Sequence, residues 1–173
     1  VGEKISQLMY PKDHPYNWLT IGSLEDLSAA SMEDVQSFFR QYYVPNNASL
    51  VIAGDFDPNE AKKLVTKYFE PIPAGAAITR PNPAQPKLEK EIRAEMEDSV
   101  QLPRVYISWH STPAYSQDEA ALDILSNVLS SGRGSRLQSK LIYDKQTAQN
   151  AFASNQTRAL AGMFQIAATS SKK

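Results

Sequence analysis

With 173 residues, 42% hydrophobic and 21% charged, the chain has the composition of a globular protein long enough to bury a core. Its formal charge of −1, from 18 basic and 19 acidic residues with no basic block, argues against nucleic acid or an anionic membrane as the main partner. The absence of cysteine excludes disulfides, thiolate nucleophiles and cysteine-based metal sites, and no apolar run approaches the roughly 20 residues of a membrane span.

The first strong helix signal starts at Ser31, an N-cap followed by acidic Glu33 and Asp34. Met32, Val35, Phe38, Phe39, Tyr42 and Tyr43 then recur on one helical face. Pro45-Asn46-Asn47 stops this helix, and residues 49–56 (SLVIAGDF) read as a short buried strand. Asp57-Pro58-Asn59-Glu60 combines an N-cap, a proline at the first helical position and an acid at the third, the pattern of a capping box. Ala61, Leu64, Val65, Tyr68 and Phe69 carry the apolar face of the helix that follows. Residues 71–86 hold five of the chain's 11 prolines, which rules out a helix and a full strand ladder and predicts an extended linker.

Beyond the linker, Ile92, Ala94 and Met96 alternate with charged residues, and Val105, Ile107 and Trp109 alternate with Tyr106 and Ser108, so strands are expected at both places. Ser116 and Glu119 have capping-box spacing ahead of a helix through Leu122, Leu125, Val128 and Leu129 that stops at Gly132. A short helix near 135–143 and strands near 147–154 and 163–169 complete the chain. The mixture of helices and antiparallel-looking strands predicts an α+β fold. Opening on Val1 without Met and closing on SSKK directly after a strand, the sequence reads as a cut from a longer protein.

Several of these segments together resemble the pitrilysin/insulinase family of zinc metallopeptidases. The residues that carry the resemblance are His14-Pro15-Tyr16, Ile21-Gly22, Tyr43 to Asn47, Gly54-Asp55, Tyr68-Phe69, SSGRGSRLQSKL at 130–141 and LAGMFQIAAT at 160–169, in the family's order over nearly the whole chain. The resemblance implies paired half-domains, each an antiparallel sheet with helices on one side. Residues 1–70 would close the first half, 71–87 would link, and 88–173 would open the second. It also implies a parent that is a zinc-dependent endopeptidase acting on peptides or unfolded segments in a chamber. There an H-x-x-E-H motif and a distant Glu hold zinc, and the motif Glu serves as base. His14 and His110 are the only histidines and neither sits in such a motif, so zinc is expected in the parent and not in this fragment, which would be inactive alone. Residues 121–132 occupy the place of the second half's counterpart to the zinc helix. The motif positions fall on Asp123, Ser126 and Asn127, poor substitutes for two imidazoles and a base.

Other polar features have plainer readings. His14 sits before a proline in a polar loop and His110 ends a strand beside Trp109, so packing is the expected role of each. Asp57 serves as a cap, Asp55 suits a turn, and Glu95, Glu97 and Asp98 form a solvated strand end. Gly132-Arg133-Gly134 follows a helix and lacks a third glycine, which does not fit a dinucleotide loop. Arg133 and Arg136 are the substrate-contact candidates, and for Arg136 capping or tying down the next segment is the favoured role. Asn47-Ala48-Ser49 and Asn155-Gln156-Thr157 matter only in a glycosylating pathway. Expected partners are a peptide or unfolded substrate and a homologous subunit in a homo- or heterodimer. The alternative function is a non-catalytic partner or substrate-binding protein of the same fold, and a stand-alone binding module is a third. The compartment stays open, with the missing cysteines and the style of the resemblance pointing to the bacterial periplasm.

Overall fold

The structure is a computed structural model that describes residues 1–171. In chain order its elements are α1 (Gly2–Met9), α2 (Leu24–Ala29), α3 (Met32–Tyr42), a 3-10 turn (Pro45–Asn47), α4 (Pro58–Phe69), β1 (Arg104–Ser111), α5 (Glu119–Ser130), a π-helical segment (Gln138–Asp144), β2 (Ala148–Thr157) and β3 (Gly162–Ser170). The α+β class expected from the sequence is met. Two compact units form, one from residues 1–20 together with residues 82 onward, the other from residues 21–81. The first twenty residues, expected with the first half, therefore join the unit that contains the sheet.

That sheet is antiparallel with the order β1-β3-β2. As the central strand, β3 has neighbours on both edges, and Phe164, Gln165, Ala167 and Thr169 are buried along it. The small side chains of Ala167 and Ala168 suit a strand covered from both sides. Gln165, a polar residue in this setting, donates through Nε2 to Ser108 Oγ on β1 at 3.0 Å. Pairing places Trp109, Phe164 and Asn155 in one row and His110, Met163 and Gln156 in the next, so the two rows point to opposite faces. α5 packs on β2. α1 meets the sheet at the His110–Met163 row, where Met9, Tyr10 and Ala161 make a small core flanked by Ile5, Tyr16 and Met163.

Two expectations for this unit are corrected. Ile92, Ala94 and Met96 alternate as a strand would, yet residues 91–97 pair with no strand among the described residues, and Ile92 and Met96 are exposed. Alternation fixes which side faces inward but not whether a ladder partner exists. The Ser116 cap does not form either. The N-cap is Asp118, and Ser116 Oγ is shut off from solvent without a hydrogen-bond partner. Glu119 is instead occupied by its neighbours. Its carboxylate accepts from the Tyr115 N–H at 2.5 Å and from Thr157 Oγ1 at 2.6 Å. The stop at Gly132 does form, with φ +78, the left-handed conformation that favours glycine after a helix.

In the unit of residues 21–81 both N-caps form, but the capping box expected at Asp57 and Glu60 closes on the Asp57 side only. Ser31 and Asp34 make a reciprocal capping box on α3, and Asp57 accepts from the N–H groups of Asn59 and Glu60 at the start of α4. The two asparagines after Pro45 have separate tasks. Asn47 Nδ2 donates to the Tyr42 carbonyl at 2.9 Å and satisfies the end of α3. Asn46 exchanges two hydrogen bonds with the Gly75 backbone, at 2.9 and 3.1 Å. Gly75 lies against Val44, so close that a Cβ there would meet Val44 Cγ1 at 2.6 Å. The expected strand at 49–56 does not form among the described residues, where the stretch is irregular and unpaired, and no residue of this unit is buried. Phe38, Phe39, Tyr42 and Tyr43 contact one another along an exposed face of α3, with Phe39 and Tyr43 rings 4.5 Å apart.

Candidate functional site

The strand-bearing unit contains a groove of about 920 Å³ between β1 and the first two turns of α5. Trp109, Phe164, Leu122 and Leu125 give it apolar walls, and Asp118 and Thr112 lie at its polar margin. Thr112 Oγ1 has no hydrogen-bond partner. Beside the groove, the outer edge of β1 pairs with no strand among the described residues, so its main-chain groups are open to an added strand. Such a surface can receive an extended peptide with an apolar side chain. It carries no nucleophile–base pair.

On α5, Asp123, Ser126 and Asn127 are engaged in ordinary structural bonds. Asp123 Oδ1 accepts from Asn155 Nδ2 on β2 at 3.0 Å, and Asn155 Oδ1 accepts from Ser111 Oγ on β1 at 2.9 Å. Ser126 Oγ and Asn127 Nδ2 both donate to the Asp123 carbonyl, at 2.8 and 3.0 Å. The result is a polar bridge from helix to sheet, Asp123–Asn155–Ser111. A zinc ion needs three or four convergent side-chain donors. Among the described residues no three His, Cys, Asp or Glu side chains converge, and one oxygen of Asp123 is already taken. These residues do not fit a zinc site.

Arg133 lies in the turn after α5 and Arg136 at the start of the helical segment beyond it. Both are exposed, and neither guanidinium has a partner among the described residues. The structure places them past the C-terminal end of α5, while the groove follows its N-terminal half, and does not bring them together with it. The role favoured for Arg136, capping or tying down the next segment, finds no bond among the described residues. That segment is held instead by Gln138 Nε2 donating to the Ala151 carbonyl at 3.2 Å.

His14 and His110, read from sequence as separate packing residues, converge on Tyr10. The Tyr10 ring stacks on His14 at 4.8 Å and meets His110 edge-on at 5.4 Å, and Tyr16 abuts both Tyr10 and His14. His14 is 2% exposed. Burial lowers its imidazole below the ordinary value, with the Asp13 carboxylate opposing. Burial likewise lowers His110; the Met9 carbonyl opposes without reaching hydrogen-bond geometry, and His14 adds to the lowering. Burial raises Tyr10, against the nearby Arg158 charge. Both histidines lie far apart in sequence, so only the packing of α1 on the sheet could reveal the cluster.

With this geometry in place, comparison with known proteins is direct. A model of the family described as "Peptidase M16 inactive domain" matches residues 29–173, and the chain belongs to this family. It is 34% identical to the zinc protease PqqE of Helicobacter pylori over 146 residues, 82% of this chain and 33% of that protein. It is 26% identical over 83 residues to the probable zinc protease PqqL of Escherichia coli, 46% of this chain and 9% of that protein. Among solved structures, a protease from Helicobacter pylori superimposes with a TM-score of 0.71 at 29% identity, over 92% of this chain and 40% of that one. A peptidase M16 inactive domain from Pseudomonas fluorescens gives 0.74 at 18% identity over 98% of this chain and 40% of its own, a likeness of fold. The chain spans about a third of the length of its curated relative PqqE.

Proposed function

We propose that this chain is the junction between the two halves of a zinc-dependent endopeptidase and supplies the non-catalytic wall of its substrate chamber. In this reading residues 1–70 end the metal-bearing half, 71–87 connect, and 88–173 begin the inactive half. Zinc and its base belong to a separate part of the parent. Support comes from the relatives' description as zinc proteases and from the match to an inactive domain. The observation that carries the reading is the state of Asp123, Ser126 and Asn127. At the place of the zinc helix's counterpart these residues bond to the sheet and to their own backbone, leaving nothing to gather a metal.

The chain's own contribution to catalysis is then binding. An extended peptide or unfolded segment adds along the open β1 edge through main-chain hydrogen bonds and lays an apolar side chain against Trp109 and Phe164. Arg133 and Arg136, exposed and without an ion pair among the described residues, are the candidates for a substrate carboxylate or backbone carbonyls beyond that edge. Binding of this kind holds the scissile bond toward the catalytic half and accelerates cleavage by positioning.

A fluorogenic-peptide assay tests the reading. The 173-residue chain alone should cleave nothing with or without zinc, and the longer parent should cleave in a chelator-sensitive way. Turnover by the isolated chain overturns the proposal. A parent that holds the fold, lacks H-x-x-E-H and cleaves nothing would instead be a non-catalytic partner subunit.

A further inference from the structure

The cluster of Tyr10, His14, Tyr16 and His110 borders the groove through His110 and has a chemistry of its own. Tyr16's backbone N–H donates to His14 Nδ1 at 3.0 Å, so this nitrogen is an acceptor and the neutral ring carries its proton on Nε2. Nε2 of His14 and both ring nitrogens of His110 are sealed from solvent and have no hydrogen-bond partner. The Tyr16 side chain ties the same segment to the sheet. Its hydroxyl accepts from the Leu160 N–H at 3.0 Å in the β2–β3 turn, and Arg158 of that turn stands 5.1 Å from its ring centre.

We propose that these four rings form an acid-sensitive latch, which holds residues 1–17 on the sheet while both imidazoles are neutral and releases them when the imidazoles take up protons. The chemistry follows from the contacts. A proton added to His14 must go to Nδ1, which turns that acceptor into a donor facing the Tyr16 N–H and destroys the bond. A proton added to His110 places a cation that no carboxylate among the described residues pairs with or hydrogen-bonds.

The charges around the pair favour release. On the same segment Asp13 faces His14 as the one acidic neighbour, and burial keeps the Tyr10 phenol neutral. From the β2–β3 turn, Arg158 presents a positive charge to Tyr10 and Tyr16. From α1 the Met9 carbonyl faces His110, and on the groove side Asp118 at the N-cap of α5 lines the same cavity as His110. None of these acids is hydrogen-bonded or ion-paired to an imidazole. The two imidazoles stay distinct from a metal site because each packs on Tyr10, and among the described residues no third ligand joins them.

Neutral imidazoles in the latched state and ordinary ones in the released state set the sign. The latch is fully closed above the ordinary histidine value of about 6.5 and weakens as pH falls below it. Each histidine contributes up to about a tenfold change in the opening equilibrium per pH unit, so the pair reaches about a hundredfold.

The test uses the unmodified 173-residue chain. NMR titration follows its two histidines, and hydrogen exchange, corrected for intrinsic rates, follows the Tyr10 and Asn17 amides against those of the β2–β3 ladder. Expected are imidazole midpoints below 6.5 and a selective loss of protection at Tyr10 and Asn17 under about pH 6, with the ladder unchanged. His14→Gln and His110→Gln should each halve the pH slope. Midpoints at or above 6.5 with flat protection overturn the latch, and so does a loss of protection that the ladder shares equally.

Discussion

Single residues in this chain are often decided by a partner that lies far along the sequence. Ser116 and Glu119 have the spacing of a capping box, but the Glu119 carboxylate is drawn to the Tyr115 N–H and to Thr157 on β2, and the serine is left unpaired. The local pattern was legible and lost to a tertiary contact. Asp57 and Ser31, whose partners sit within three residues, form the caps their sequence suggests. Glycine offers a sharper case. A Cβ on Gly162 would run into the Thr112 carbonyl oxygen and Ser111 Oγ, and the carbonyl belongs to backbone that cannot step aside cheaply. Gly162→Ala should therefore cost roughly 1–3 kcal/mol, read as a lower urea midpoint with an unchanged slope. A variant as stable as the parent would show that the β1–β3 end relaxes freely.

Among the elements, helices were read well and strands unevenly. The apolar periodicity and caps of α3, α4 and α5 are local properties, and these helices form where the pattern puts them. β1, β2 and β3 also match because each finds a ladder partner. The segments 49–56, an apolar run, and 91–97, an alternating one, find no ladder partner among the described residues and stay irregular. Neither α1 nor α2 was expected. α1 is short, and its place depends on the Met9–Tyr10–Ala161 contact with the sheet. α5 is fixed to the sheet by Asp123–Asn155–Ser111 as well as by apolar contact. Asn155→Ala leaves Ser111 without its acceptor and Asp123 without its donor, at an expected cost of about 1–2 kcal/mol. A double-mutant cycle with Asp123→Ala should return a coupling of at least about 0.5 kcal/mol in urea unfolding. Strict additivity of the two variants would mean the bridge does not join helix to sheet.

At the scale of the whole molecule, the family was legible in motifs that double as structural devices. Tyr43 to Asn47 ends α3 through Asn47 and reaches Gly75 through Asn46. The turn at 130–135 carries the left-handed Gly132. The division into units was less legible, because the proline-rich stretch marks where regular structure lapses without showing that residues 1–20 pack with the sheet that follows it. The proposed site was partly legible. Asp123, Ser126 and Asn127 on α5 are picked out by the resemblance alone, but the groove at Trp109 and Phe164 and the open β1 edge need the strand order. Arg133 and Arg136 sit beyond the far end of α5 from that groove.

On the proposed reading, zinc chemistry belongs to another part of the parent and this chain completes the chamber. Metal analysis of the full-length parent, with the purified 173-residue chain as its blank, addresses it most directly. The account predicts about one zinc per parent chain, matching the single four-coordinate site of an H-x-x-E-H helix, and none retained by the blank after dialysis. Tight stoichiometric zinc in the 173-residue chain itself would contradict the account.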